Sequence, residues 1–170
     1  MKFLEKDLEE IIYKSNKADL YKRGIEVRGN VKRQFKIGNY GIADIVTFNR
    51  DYDEYMYSAH SKYSPFLEVT VYELKKDKIG ISAFLQALGY LHGIKRFFQK
   101  RDVNYDIKYK IVLVGKTIDT FSTYVYLTDF LIDNNSFIVE NYTYQYDIDG
   151  IKFKNECNYK LTNEGFNDGK

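Results

Sequence analysis

Apolar and polar residues alternate along several segments of the chain, and two other segments repeat apolar residues at helical spacing. Strict alternation is typical of a strand with one buried face, whereas apolar residues three or four positions apart indicate an amphipathic helix. The order of these segments predicts a helix, three strands, a second helix and a further strand. The predicted bounds are helix 4–15, strands 25–36, 40–49 and 65–75, helix 81–101 and strand 107–114.

The connections between the first three strands differ in character. Gly38-Asn39 is a tight link, which predicts a hairpin between the first two strands. The longer segment 50–64 joins the second and third strands and is rich in polar residues and tyrosines. Surface connections often carry function, so we expect this segment to be either a flap over a substrate or a solvated loop.

Residues beyond 114 predict an extension to this core. Segment 119–133 carries apolar residues at helical spacing but also a run that suits a strand, and we favour a helix. Segment 142–154 alternates around Asp149-Gly150, which is a strong signal for a hairpin. The chain therefore predicts one domain over residues 1–170, with a core over about 1–115 and an extension over about 116–170.

Charged residues interrupt the apolar rows of the second and third strands. On the third strand, alternation places on one face Leu67, Val69, Val71, Glu73 and Lys75. On the second strand it places on one face Ile42, Asp44, Val46 and Phe48. Charges at core-facing positions cost free energy unless they are paired or bound to a metal.

These charges indicate a metal site. Asp44 and Glu73 supply hard carboxylate oxygens, which suit Mg²⁺ or Mn²⁺ better than thiolate or imidazole ligands do. Lys75, two residues after Glu73, projects beside such an ion, where a lysine orients a water and offsets charge on a phosphoryl group. The pattern predicts metal-assisted chemistry on a phosphate.

The acid followed by an acid-x-lysine resembles the cleavage centre of the PD-(D/E)xK nuclease superfamily, although Ala43 stands where the superfamily's name has proline. The first helix is similar to that of RecB-like and NucS-like members, in which a glutamate leans toward the metal. Glu9, directly after Leu8, matches their Leu-Glu pair, with Glu5 as the alternative. Periodicity does not choose between the two glutamates.

Two more pairs carry the resemblance. Arg33-Gln34 precedes the Asp44 strand, as an Arg-Gln pair does in many members. Gln86 and Tyr90 resemble the Gln-x-x-x-Tyr helix of RecB-like nucleases, and residues four apart are neighbours on one helix face.

The resemblance implies an α/β restriction-endonuclease-like core, in the order α-β-β-β-α-β, with a mixed central sheet flanked by helices. It implies a metal-dependent nuclease that hydrolyses phosphodiester bonds, and it favours a DNA endonuclease over other kinds of nuclease. Asp44, Glu73, the Leu74 carbonyl and Glu9 would hold Mg²⁺ or Mn²⁺, and Lys75 would position the attacking water. The alternative is a non-catalytic nucleic-acid-binding module on the same fold. DNA or RNA, strandedness, exo or endo cleavage and a homodimeric state all stay open.

Charge is informative through its distribution, because the net charge is only +2. Basic residues cluster in segments 22–36 and 75–101, which flank the predicted site, and a basic rim is the expected footprint of a nucleic acid. Together with the two pairs above, the predicted nucleic-acid-binding residues are Arg33, Gln34, Lys76, Lys78, Gln86, Tyr90, Lys95 and Arg96.

Composition narrows the class of protein. The hydrophobic fraction of 44% and the charged fraction of 29% are ordinary for a globular domain. No apolar run approaches the length of about 18 residues that a membrane helix needs, and no signal peptide is recognisable, so we expect a cytoplasmic protein. The single cysteine, Cys157, excludes an internal disulfide and a cysteine-bound iron-sulfur cluster.

Overall fold

The computed structural model describes residues 4–57, 60–101, 103, 105–119 and 137–156, and the side chains of these residues except 53–57 and 60–63. They form a mixed α/β structure built on a six-stranded sheet. The described helices are α1 (Glu5–Lys14), α2 (Lys17–Lys22) and α3 (Ile81–Gln99), with a short 3-10 helix at Gly38–Tyr40. The described strands are β1 (Asn30–Lys36), β2 (Ile42–Tyr57), β3 (His60–Leu74), β4 (Lys78–Ile79), β5 (Asp106–Gly115), β6 (Thr117–Ile118), β7 (Ile138–Asp147) and β8 (Gly150–Glu156).

The main sheet has the strand order β1-β2-β3-β5-β7-β8. Strands β1, β2 and β3 are antiparallel neighbours, β5 runs parallel to β3 and β7 runs parallel to β5. Helix α3 makes the crossover between β3 and β5, as parallel neighbours require. The short strands β4 and β6 form a separate parallel pair. These bounds confirm the predicted helices 4–15 and 81–101 and the hairpin at Gly38-Asn39.

The predicted irregular connection at 50–64 is wrong. Strands β2 and β3 remain paired as far as Tyr57 and His60, so residues 50–57 and 60–64 belong to two long antiparallel strands. A polar composition does not end a strand pair, because the backbone groups satisfy one another across the ladder whether or not a core lies beneath it. Tyrosine also favours strands. A role as a flap over substrate stays a prediction.

The outcome for the C-terminal third is mixed. The predicted hairpin is confirmed, with Ile148 and Asp149 as its turn residues, one position earlier than expected. Gly150 has a φ of +103°, a conformation that favours glycine. The predicted helix at 119–133 lies outside the described residues except for Asp119, and Cys157 also lies outside them. The predicted strand 25–36 begins only at Asn30.

Apolar clusters cover both faces of the sheet. Helix α3 contributes Phe84 and Leu91 to a cluster that includes Val71 and Leu113. Helices α1 and α2 lie on the other face, where Leu8 and Leu20 belong to the second cluster. We call these the α3 side and the α1 side of the sheet. A sheet that is buried on both faces leaves the strand ends as the places where polar groups can gather.

Strands β1 and β2 both depart from regular alternation at neighbouring positions of the sheet, Gln34 in β1 and Asp44 in β2. Val31 packs against the cluster on the α1 side, whereas Phe35, four residues later, packs against the cluster on the α3 side. Gln34, between them, has a φ of +47°, in the left-handed region. In β2, Ala43 and Ile45 likewise belong to opposite clusters. The regular row predicted through Asp44 is therefore wrong, because alternation changes at that residue.

Candidate functional site

Asp44 lies where β2 separates from β3. The paired register of the two strands stops at Ile45 and Tyr72. Beyond that point the Asp44 side chain continues the contact, because its Oδ2 accepts a hydrogen bond from the Leu74 backbone N–H at 2.9 Å. Burial raises the pKa of Asp44, and the Leu74 bond opposes that rise. The half-buried carboxylate is thereby held between the two strands.

Glu73 and Lys75 lie beside Asp44 at the end of β3. The Lys75 Nζ donates to Glu73 Oε1 at 2.6 Å, which confirms that the two side chains share a face. Glu73 is 1% exposed, and its Oε2 is the buried side-chain oxygen without a hydrogen-bond partner among the described residues. Burial raises the pKa of Glu73 to about 7, the negative charge of Asp44 adds to that rise, and Lys75 opposes it.

The lysine is held as an ammonium. Burial by itself lowers the pKa of Lys75, but the negative charges of Glu73, Glu5 and Asp44 outweigh this effect and raise it. Lys75 is therefore protonated at neutral pH. In that form it donates hydrogen bonds and stabilises negative charge, and it has no lone pair with which to remove a proton.

The two carboxylates fit a divalent cation. An unpartnered buried carboxylate oxygen next to a second carboxylate is unfavourable unless a proton or a cation neutralises it. Both groups are hard oxygen donors, as Mg²⁺ and Mn²⁺ prefer. Within the described ranges, no group of three or more acidic, histidine or cysteine side chains is already arranged to hold a metal ion. Further ligands would have to come from backbone carbonyls, water or a neighbouring glutamate.

Glu9 lies on α1 and is only 5% exposed. Its Oε1 accepts a hydrogen bond from Arg33 Nε, and its Oε2 accepts one from Gln34 Nε2 at 2.6 Å. Its charge contributes to the raised pKa of Asp44. The structure therefore brings Glu9 to the site but engages both of its oxygens with β1. The left-handed backbone of Gln34 accompanies this contact.

Glu5, one turn before Glu9, faces the same centre. Its Oε1 accepts a hydrogen bond from the Lys76 backbone N–H at 3.3 Å. Its negative charge contributes to the raised pKa values of Asp44, Glu73 and Lys75, and the charge of Glu9 also contributes to that of Asp44. Glu5 is exposed. It is therefore the glutamate of α1 that can reorient toward a cation without losing a buried ion pair.

Helix α3 supports Lys75 on the face of the sheet opposite α1. Lys75 Nζ lies 3.4 Å from Gln86 Oε1, and Gln86 Nε2 donates to Tyr90 Oη at 2.8 Å. Tyr90 is buried. The predicted pair on one helix face is thus joined to the site through the lysine, in a line of hydrogen bonds that runs from Glu73 to the helix.

Four of the five basic residues predicted to bind nucleic acid are divided between two places, and the fifth, Arg33, pairs with Glu9. Lys76 and Lys78 lie near the end of β3, where they pair with Asp77 at 3.5 Å and Asp119 at 3.3 Å. Lys95 and Arg96 lie on the second half of α3, about 15 Å along the helix from Gln86. Lys95 packs over the Tyr109 ring, and Arg96 donates to Tyr40 Oη at 3.3 Å. Lys76 lies next to the acidic centre, because its backbone N–H donates to Glu5, whereas Lys95 and Arg96 lie farther along α3.

Sequence reasoning missed one residue that touches the site's edge. Tyr144 on β7 donates a hydrogen bond to the Lys76 carbonyl. Its burial raises its pKa, and the charge of Glu5 contributes. The alternating pattern of segment 142–154 placed Tyr144 in a strand, but no sequence signal showed that this strand joins the sheet beside β5.

Comparison of the chain with protein-family models, with curated proteins and with solved structures found no match. In the portion of the chain that is described, no helix is both long and apolar enough to cross a membrane. The inference about function therefore depends on the site itself.

Proposed function

We propose that this chain is a metal-dependent nuclease that hydrolyses phosphodiester bonds, and of the possible nucleases we favour a DNA endonuclease. The observation that carries the proposal is the buried Oε2 of Glu73, which has no hydrogen-bond partner in the described part of the chain, with Asp44 beside it and Lys75 bonded to the other oxygen. An arrangement that leaves a carboxylate oxygen unpaired in the interior costs stability. Such a cost is expected where the group has a function.

Asp44, Glu73 and the Leu74 carbonyl would hold Mg²⁺ or Mn²⁺. Glu5 or Glu9 would complete the acidic shell, and Glu5 is the one whose hydrogen bond is exposed and easily exchanged. When bound, a divalent ion activates a water for attack and stabilises charge on a phosphate.

The chain's own residues supply positioning and charge. Protonated Lys75 donates to the attacking water and stabilises the negative charge that develops on the phosphoryl oxygens. Gln86 and Tyr90 restrict the lysine to that position. The Leu74 N–H holds Asp44, so one carboxylate needs little rearrangement to bind a cation.

The topology supports the finer fold assignment. An antiparallel β1-β2-β3 unit followed by α3 and a parallel β5, with α1 on the opposite face, has the order of a restriction-endonuclease-like core. In this proposal, β7 and β8 are an addition at the far edge of that core.

The test is cleavage of labelled single-stranded, double-stranded and forked DNA, with an RNA control, in Mg²⁺, Mn²⁺ or EDTA. We expect metal-dependent cleavage by wild type and a loss of at least about a hundredfold in Lys75→Ala. Lys154→Ala is the matched control, because it removes an exposed lysine of β8, the edge strand of the sheet on the far side of β5 and β7 from the site. Cleavage that survives Asp44→Ala in a pure preparation would refute the assignment.

A metal-binding measurement separates the nuclease from the non-catalytic nucleic-acid-binding module. The observation that favours the module is that Glu9 is engaged by Arg33 and Gln34 and is not free to bind an ion. If Mg²⁺ binds the native site, a concentration one hundred times the dissociation constant should raise the free energy of unfolding by about 2.7 kcal/mol. Asp44→Asn should abolish that gain. Shifted but uncut DNA with no Mg²⁺ effect would identify the module.

A further inference from the structure

A second concave surface lies away from the carboxylates, between the β1–β2 hairpin and the second half of α3. It encloses about 550 Å³ and is lined mainly by aromatic and aliphatic side chains. A volume of this size is typical of pockets for small organic ligands. We call it the aromatic groove. None of its lining residues belongs to the carboxylate site.

Two pairs of phenylalanine rings form its walls. Phe35 and Phe48 meet edge to face on the hairpin, with ring centroids 5.7 Å apart. Phe97 and Phe98 meet in the same way on α3, at 5.5 Å. Phe97 remains 48% exposed, and the Arg101 guanidinium carbon lies over one face of its ring, 4.0 Å from the centroid. The ring surface that remains exposed is apolar and has a cation beside it. Such surfaces suit a planar, apolar ligand group.

One end of the groove is built by a close approach that only glycine permits. A Cβ at Gly93 would lie 2.6 Å from Tyr40 Cδ2 and 2.7 Å from Ile37 Cγ2. The absence of a side chain there lets the 3-10 helix sit directly on α3. The groove is therefore a defined feature of the packing between the two elements.

The rim of the groove is cationic. Lys36, Arg96 and Lys100 line it, and no carboxylate is found among its described lining residues. An apolar ligand alone would gain nothing from three cations, and a simple anion would gain nothing from the rings. The combination suits a ligand with a flat aromatic group and a negative charge close to it, as in a nucleotide within a strand.

The groove and the carboxylate site lie along one face of α3. Gln86, Tyr90, Ile94 and Phe97 recur at spacings of three or four residues, which places them in one stripe. The stripe from Gln86 to Phe97 is about 16 Å long. That length corresponds to about five phosphate steps of a stacked strand.

We propose that the aromatic groove binds an unpaired base of a single-stranded nucleic-acid segment, with the adjoining phosphates on Lys36, Arg96 and Lys100. The distance of about five nucleotides to the cleaved bond rests on the proposed nuclease function. The binding of the base rests only on the groove.

The test is fluorescence anisotropy of a labelled single-stranded oligonucleotide in EDTA, where metal-dependent cleavage does not occur. Phe97→Ala should weaken binding by about tenfold to a hundredfold, because one stacking surface is lost. Leu85→Ala is the matched control, since Leu85 is 53% exposed on the same helix and does not line the groove. Phe97→Trp keeps an aromatic stacking surface, so it should bind the oligonucleotide about as tightly as wild type does.

Two further probes separate the base from the phosphates. An abasic oligonucleotide of the same length should bind wild type more weakly, and Phe97→Ala should not weaken it further. Lys100→Gln should weaken both probes and reduce the dependence of log affinity on log salt by about 0.7.

Several results would overturn the inference. Equal affinities of wild type and Phe97→Ala, or of the normal and abasic probes, would show that no base occupies the groove. Failure of wild type to bind the oligonucleotide, with binding to anionic vesicles, would assign the groove to a membrane surface. Binding that depends on Phe97 without any cleavage in Mg²⁺ would refute the nuclease alone. Cleavage with no effect of Phe97→Ala on binding would refute only the groove.

Discussion

Replacing Glu73 by glutamine should stabilise the metal-free protein at neutral and alkaline pH. The pKa of Glu73 rises from its ordinary 4.5 to about 7, mainly through burial. Ionising Glu73 therefore costs about 3 kcal/mol more in the folded state than in the unfolded state. Glutamine has nearly the shape of the protonated acid and keeps an oxygen for Lys75, so it removes this cost.

The direction of the pKa shift determines the pH range in which the Glu73→Gln variant is more stable than wild type. Because the pKa is raised in the folded state, its contribution to stability is complete below about pH 4.5 and is lost as the pH rises through about 7. Urea unfolding of wild type and Glu73→Gln in EDTA should give equal free energies at the acidic end of that window. Above it, the variant should be more stable by about 3 kcal/mol. Saturating Mg²⁺ should then stabilise wild type and leave the variant unchanged.

Glu10→Gln is the control for the direction of the stability change at high pH. The exposed Glu10 carboxylate is bonded to Lys14, which lowers its pKa, so its replacement should bring no gain at high pH. If the Glu73→Gln and wild-type curves differ by less than about 0.5 kcal/mol above pH 7, the reasoning from burial is refuted.

Two further changes test the packing around the site and the groove. Arg33→Ala should lower the free energy of urea unfolding by about 1–3 kcal/mol, because it leaves the Oε1 of the buried Glu9 carboxylate without its hydrogen-bond donor. Adding Glu9→Gln should recover most of that loss, and an undiminished loss in the double variant would contradict the ion-pair explanation. Gly93→Ala should lower the free energy of unfolding by about 1–3 kcal/mol, since its Cβ would overlap Tyr40. A Cβ at Gly89 would meet no described atom within 4 Å beyond its own helix backbone, so Gly89→Ala should be neutral or stabilising by thermal unfolding. Equal effects at both glycines would refute the close approach.

Much of the secondary structure follows from the local pattern, because strand and helix periods are properties of neighbouring residues. The alternation of β3 correctly paired Glu73 with Lys75, and the spacing on α3 correctly paired Gln86 with Tyr90. Alternation failed at Asp44. The departure there coincides with the left-handed backbone of Gln34 on the neighbouring strand, and a pattern within one strand contains no information about its neighbour.

The same limit explains the other differences. Segment 50–64 looked like a loop because its residues are polar, but pairing across the sheet makes residues 50–57 and 60–64 strand. The basic residues of segment 75–101 looked like one cluster, yet the length of α3 separates Lys76 from Arg96 and places the latter at the aromatic groove. Charge clusters in the sequence do not record how far a helix carries each residue from the site.

The sequence by itself determined the order of the main elements, the shared face of Glu73 and Lys75, and the residue types that suit a divalent metal. These depend on spacing and on the chemistry of side chains. Only the tertiary structure decided that Asp44 meets the Leu74 backbone, that Glu9 is engaged by β1, and that β7 joins the sheet. It also decided which carboxylate oxygen is buried with no hydrogen-bond partner among the residues that the structure describes. Burial and pairing are relations between segments distant in the chain, and these relations set the pKa of Glu73 and the cation-binding capacity of the site.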